Sequence, residues 1–167
     1  MTTFRPHFFD VHWSGPFPYD QLDELHNDPN LVLHMVSGTH GVYGRNVPLH
    51  LGMTEQGIRD RLLQHKAWLQ DESDPPMVYA AAVSEMKSWA DIEQKEAYPP
   101  PPRDVIEEIE SLLIYAHQLA YKVKSKKGGN RHRRDLLVFN TGKRSGLYPE
   151  VSTMNWYGDI EIRNQFS

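Results

Sequence analysis

The chain contains no cysteine. Disulfide frameworks, thiolate nucleophiles and cysteine-ligated zinc are therefore excluded, while oxidising and reducing compartments stay equally open on this ground. Long apolar runs are missing too: the opening MTTFRPHFFDVHWSG holds no stretch of signal-peptide length, and no segment approaches a membrane span. A soluble, intracellular, cytoplasmic protein is the default expectation, with the nucleus a secondary alternative. Nor is there an excess of positive charge. The balance of 18 Lys and Arg against 22 Asp and Glu gives a formal net charge of −4, which argues against a globally basic nucleic-acid binder. The 9 histidines show no ligand-spaced helical pair of the HExxH kind, so a histidine-rich metal hydrolase is the weakest of the functional readings.

At 167 residues and 39% hydrophobic content the chain suffices for one core, and a single domain with decorated ends is expected. Residues 1–30 are rich in proline, aromatics and histidine, with a short helix conceivable over 21–26 between the Gly15-Pro16 and Asp28-Pro29 breaks. Two short apolar runs, 31–36 and 47–51, predict a hairpin with a long decorated loop. Thr54 is the expected N-cap of a helix reaching about residue 70, stopped by Asp74-Pro75-Pro76. Residues 77–83 (MVYAAAV) predict a third strand, and the four prolines at 99–102 force a spacer before a long helix from Arg103 or Asp104. Residues 135–141 and 160–162 predict further strands, making 135–167 a strand-rich extension.

Charge is uneven. Residues 122–134 (KVKSKKGGNRHRR) hold seven basic side chains and no acid, namely Lys122, Lys124, Lys126, Lys127, Arg131, Arg133 and Arg134. Such a loop can neutralise several phosphates, although a solvated surface loop has the same composition.

Two helical stretches carry candidate site residues. After Gly52, Ile58, Leu62 and Leu69 mark an apolar stripe flanked by Arg61 and, four residues on, His65. An arginine at that boundary requires an anionic partner, which a structural salt bridge would supply as well as a ligand. In the long helix, Glu107 and Glu108 have polar neighbours and are expected in solvent, whereas Glu110 is flanked by Ile106, Leu113 and Ile114. A carboxylate so placed is paired with a cation or coordinates a metal. Pairing with Arg61 and a metal site both remain open.

In order and spacing, Gly52, Arg61, His65, Glu110, Leu113-Ile114, His117-Gln118 and Tyr121 resemble the GIY-YIG nuclease family, across about residues 31–122. The segment from Gly38-Thr39-His40 to Val42-Tyr43-Gly44 is similar to an insert in a bacterial branch of that family. The resemblance implies a small α/β fold, a three-stranded antiparallel-type central sheet flanked by helices, here with extra N- and C-terminal elements. It also implies metal-dependent hydrolysis of DNA phosphodiesters, or of RNA, with Glu110 holding Mg²⁺ or Mn²⁺ and Arg61 stabilising the phosphate. Lys122 and the basic loop would grip the backbone, and a homodimer would address both strands.

Both signature tyrosines are absent. Anchored on the Gly38-Thr39-His40 insert, their places fall on His34 and His50, while a one-residue shift of the first strand substitutes Leu33 for His34. A histidine of ordinary pKa near ~6.5 accepts a proton more readily than a phenol near ~10, so His34, His50 or His65 can handle the proton. The family's closing Asn is Lys122 here, which cannot accept a hydrogen bond. The competing reading is a GIY-YIG-like domain weakened in catalysis that serves as a nucleic-acid-binding or protein-interaction module.

Overall fold

A computed structural model describes residues 5–24, 26–65, 71–72, 74–88, 90, 99–120 and 134–156. The basic run 122–133 and the strand expected at 160–162 lie outside the described residues. Among the described residues six strands form one sheet: β1 (His7–Pro18), β2 (Leu31–His40), β3 (Gly44–Met53), β4 (Met77–Met86), β5 (Leu136–Gly142) and β6 (Glu150–Ser152). Among the described residues three α-helices accompany it, α1 (Ile58–Gln64), α2 (Arg103–His117) and α3 (Thr153–Trp156), with a 3-10 segment at Tyr19–Glu24. None of the described helices is long and apolar enough to cross a membrane.

This corrects the expected three-stranded sheet flanked by helices. The sheet is six-stranded, mixed and curled into a half-barrel, in the order β3-β2-β4-β1-β5-β6. What extends it is β1, which pairs antiparallel with β4 on one side and parallel with β5 on the other. Alternation explains the strand: Phe9, Val11 and Trp13 are buried at every second position. Gly15-Pro16, which reads as punctuation in the sequence, sits inside a register shift between Ser14 and Phe17 where the ladder tolerates a residue without an N–H. A buried polar tie locks the β1–β5 pair: Trp13 Nε1 donates to Asn140 Oδ1 at 3.0 Å, and Asn140 Nδ2 donates to the Tyr148 carbonyl at 2.8 Å.

The hairpin is tighter than expected. β2 and β3 run on through the presumed loop, leaving 41–43 as the turn, and His40 Nδ1 accepts from the Val42 and Tyr43 N–H groups. The expected N-cap at Thr54 is also corrected. Helix α1 starts at Ile58 behind Gly57, whose φ of 98° suits glycine. A Cβ there would meet Asn27 Oδ1 at 2.5 Å, and that same oxygen accepts from the Arg59 N–H, capping the helix from a distant loop. Thr54 instead donates from its hydroxyl to the Gly57 carbonyl.

The sheet buries both faces. Phe9, Val11, Trp13, Leu33, Met35, Leu51, Ala81 and Val83 meet the α2 stripe of Val105, Ile106, Ile109, Leu112, Leu113 and Ala116. Val36, Val78 and Ala80, on the other face, meet Leu22, Ile58 and Leu62 of the 3-10 segment and α1. Burying each Val, Leu, Ile, Phe or Met side chain of these sets contributes about 1.5–3 kcal/mol, so both helices are fixed by their apolar stripes. Strand periodicity then decides which polar residues share a face with α1.

Candidate histidine site

On β2, Leu33 and Met35 point to the α2 core, so His34 and Val36 point to the α1 side. On β3, Leu51 points to the α2 core, so His50 and Gly52 point to the α1 side. The ladder pairs His34 with Gly52 and Val36 with His50. The two imidazoles are therefore diagonal neighbours on one surface, with ring centroids 5.4 Å apart. His65 closes the group from the C-terminal end of α1, where its backbone N–H donates to the Leu62 carbonyl. Its ring lies 5.6 Å from His34 and 5.1 Å from His50.

Gly52 makes this packing feasible. A Cβ at that position would come within 2.8 Å of His34 Cε1 and 3.3 Å of His50 Nε2, so the absent side chain is the space the two rings occupy. His34 is fully buried, and His50 and His65 are half-buried. One ring nitrogen from each lies within 4.8 Å of the other two, and no Asp or Glu belongs to the group. Each imidazole in its neutral form offers one ring-nitrogen lone pair to a shared ion.

One helical turn before His65, Arg61 opens onto a cleft of about 340 Å³ beyond the end of β3, lined also by Thr54, Glu55, Gln56, Gln64 and Arg103. Arg61 Nη1 donates to Gln64 Oε1 at 3.0 Å, and its Nε has no partner among the described residues. None of the ion pairs among the described residues includes Arg61. The other cation of the cleft is occupied: Arg103 pairs with Glu55 at 3.1 Å and with Glu107 at 2.7 Å. Of the two cleft guanidiniums, Arg61 is thus the one without an ion pair among the described residues.

Glu110 lies elsewhere. It projects from α2, which packs on the sheet face opposite α1, and it is not a member of the histidine group. Seven residues after Arg103, it shares that residue's side of the helix, about 10 Å further along. It is half-buried and is not among the residues lining the cleft. The donor cluster the fold builds is accordingly nitrogenous, whereas Mg²⁺ prefers carboxylate and water oxygen. The described residues gather no comparable set of oxygen ligands at Glu110.

Of the expected nucleic-acid contacts, Lys122, Lys124, Lys126, Lys127, Arg131 and Arg133 lie outside the described residues. Arg134 is described and is committed: its two terminal nitrogens reach Asp104 and Glu108, each at 2.5 Å. This also corrects the expectation for Glu108, whose side chain is only 12% exposed because it is folded onto that guanidinium. His117, part of the motif resemblance, has a structural place. Nδ1 contacts the Leu113 carbonyl and Nε2 accepts the Tyr148 N–H, both at 2.7 Å, and the ring stacks on Tyr148.

A polar group that sequence reasoning missed ties β1 to β5. Thr141 Oγ1 donates to Asp10 at 2.7 Å and sits 3.0 Å from His12 Nδ1. Burial pushes the Asp10 carboxyl above its usual range, with the Thr141 hydrogen bond and nearby His12 partly opposing this. The cleft residues Thr54, Gln56, Gln64 and Arg103 were missed as well, since nothing in their spacing announces a shared surface. No family model, no curated protein and no solved structure matches this chain.

Proposed function

We propose that this chain hydrolyses phosphodiester bonds in nucleic acid, DNA before RNA, with the His34, His50 and His65 trio activating the water and Arg61 stabilising the phosphate. The observation that carries the proposal is the convergence of three imidazoles, one of which, His65, stands one helical turn from Arg61, a guanidinium that makes no ion pair with a described carboxylate. Hydrolysis needs a group that eases proton loss from water and a cation where charge develops on phosphorus. The planar fork of an arginine suits two phosphate oxygens, and the cleft beside it is open at the end of an edge strand. The motif resemblance to GIY-YIG nucleases supports the same chemistry, as do the basic residues at 122–133, which would hold the backbone.

In this scheme the ester bond between phosphorus and one oxygen breaks as the water oxygen bonds to phosphorus, leaving one phosphomonoester end and one hydroxyl end. Arg61 offsets the added negative charge at the moment it appears. Glu110, about 10 Å further along α2 than Arg103 and outside the cleft, takes no step in this scheme; a hard cation such as Mg²⁺ or Mn²⁺ at that carboxylate would be a separate site.

The test is nicking of supercoiled plasmid by the purified full chain, run with chelator and separately with Mg²⁺, Mn²⁺, Co²⁺ and Zn²⁺. Cleavage that disappears in both Arg61→Gln and His65→Ala is expected. Absence of cleavage with every metal, on supercoiled, linear and single-stranded DNA and on RNA, would remove the proposal.

A further inference from the structure

We infer that His34, His50 and His65 form a binding site for one divalent transition-metal ion of the zinc class, in which the three ring nitrogens are ligands and a fourth position stays open. The inference deepens the hydrolase reading by specifying how the trio acts on water, and it can stand if that reading fails.

Donor chemistry comes first. All three residues are imidazoles with no carboxylate in the group, a set that suits zinc, cobalt, nickel or copper and disfavours magnesium and calcium. Geometry follows. Zinc–nitrogen bonds of about 2.0–2.1 Å in a tetrahedral site place ligand nitrogens about 3.3 Å apart. The observed nitrogens lie within 4.8 Å of one another, so each must close inward by about 1 Å, within reach of small side-chain rotations. The rings are inclined to one another by 32°, 37° and 61°, so they do not form a stack.

The fold explains why these three meet. His34 and His50 are presented by adjacent strands on the face that α1 covers, and His65 stands where α1 ends, so the ligands come from three elements. Gly52 lies opposite His34 and leaves the floor of the site without a side chain, its missing Cβ corresponding to a point 2.8 Å from one ligand ring and 3.3 Å from another. Burial of His34 and half-burial of the other two keep bulk water from competing on most sides. Three neutral ligands would leave the ion its full double charge. That charge, one turn of α1 from Arg61, would favour a phosphate oxygen or a water at the open position.

The full chain is stripped with chelator and titrated with Zn²⁺ by calorimetry and with Co²⁺ by visible absorption, with a melting curve at each ratio. One equivalent of either metal is expected to bind, with a cobalt spectrum of four-coordinate type and a melting temperature that rises until that equivalent is reached. Millimolar Mg²⁺ should neither compete nor raise the melting temperature. His50→Gln and His65→Ala, at the half-buried positions, should each weaken binding at least tenfold while the metal-free protein keeps the wild-type circular dichroism spectrum. His40→Gln, on the hairpin tip, is the control and should bind as wild type. No stoichiometric binding of Zn²⁺ or Co²⁺ at micromolar concentration overturns the inference, as does binding that both folded site variants retain. Stoichiometric binding without cleavage would leave this site standing and remove the hydrolase reading, whereas cleavage without such binding would do the reverse.

Discussion

His34 faces Gly52 across the β2–β3 ladder, and the histidine ring occupies the volume that any side chain at position 52 would claim. The pairing joins a fully buried imidazole to the single residue type that leaves it room. It also sets the position of His50, which approaches the same missing Cβ from the neighbouring register step.

Gly52→Ala should therefore disturb both the fold and the site. With a Cβ 2.8 Å from His34 Cε1, the ring must move or the strands must part, at a cost of about 1–3 kcal/mol. Urea unfolding would register this as a lower midpoint, and zinc titration as weakened binding. An alanine variant as stable as wild type would show that the ring yields freely.

Arg61→Gln should leave stability within about 1 kcal/mol, because the hydrogen bond it loses is to a neutral, exposed glutamine. Its effect belongs on catalysis. Removing a donor that stabilises developing charge costs about 10²–10³ in rate. Single-turnover cleavage of a defined oligonucleotide at saturating enzyme would separate that loss from weakened binding.

Folding stability should fall as acid is added through the ordinary histidine range, and His117 should carry part of the fall. Burial holds its pKa below the usual 6.5, with the bond to the Leu113 carbonyl partly opposing. The folded ring is neutral, donating from Nδ1 and accepting the Tyr148 N–H at Nε2, while the unfolded ring protonates freely. The unfolded chain then binds more protons, so stability is lost as pH drops below about 6.5 and the loss levels off once the folded pKa is passed. Denaturant midpoints for wild type and His117→Gln, measured from pH 7.5 to 5, should converge as acid is added. A constant gap between the two curves would exclude this origin.

Arg134→Ala should weaken the fold without weakening nucleic-acid binding. The guanidinium ties the segment entering β5 to Asp104 and Glu108 near the start of α2, so its loss should lower the melting temperature. Lys126→Ala combined with Lys127→Ala should do the opposite. Fluorescence anisotropy on a labelled duplex at two salt concentrations, beside a melting curve, distinguishes the two outcomes.

Much of the local structure was legible because it rests on short-range patterns. The stripe from Val105 to Ala116 is periodic enough to specify a helix, the prolines before Arg103 specify where it starts, and the bounded run at 77–83 is a strand in both sequence and structure. Strand β1 was not legible, because Gly15-Pro16 masks an alternation that matters only once β4 and β5 flank it. With β1 goes the whole extended sheet. The start of α1 was hidden for a similar reason: its cap is supplied by Asn27, thirty-two residues away from the Arg59 it holds.

The sequence by itself determined which side chains had chemistry to offer: Arg61 and His65 one turn apart on a helix, His34 and His50 on strands, Glu110 at an apolar boundary. Only the tertiary structure decided which of them meet. Strand alternation turned His34 and His50 toward α1, and packing of α2 on the opposite face carried Glu110 away from them. Helical spacing acts over a single turn and is written in adjacent residues, whereas the face a strand presents depends on partners brought together by burial of the whole sheet.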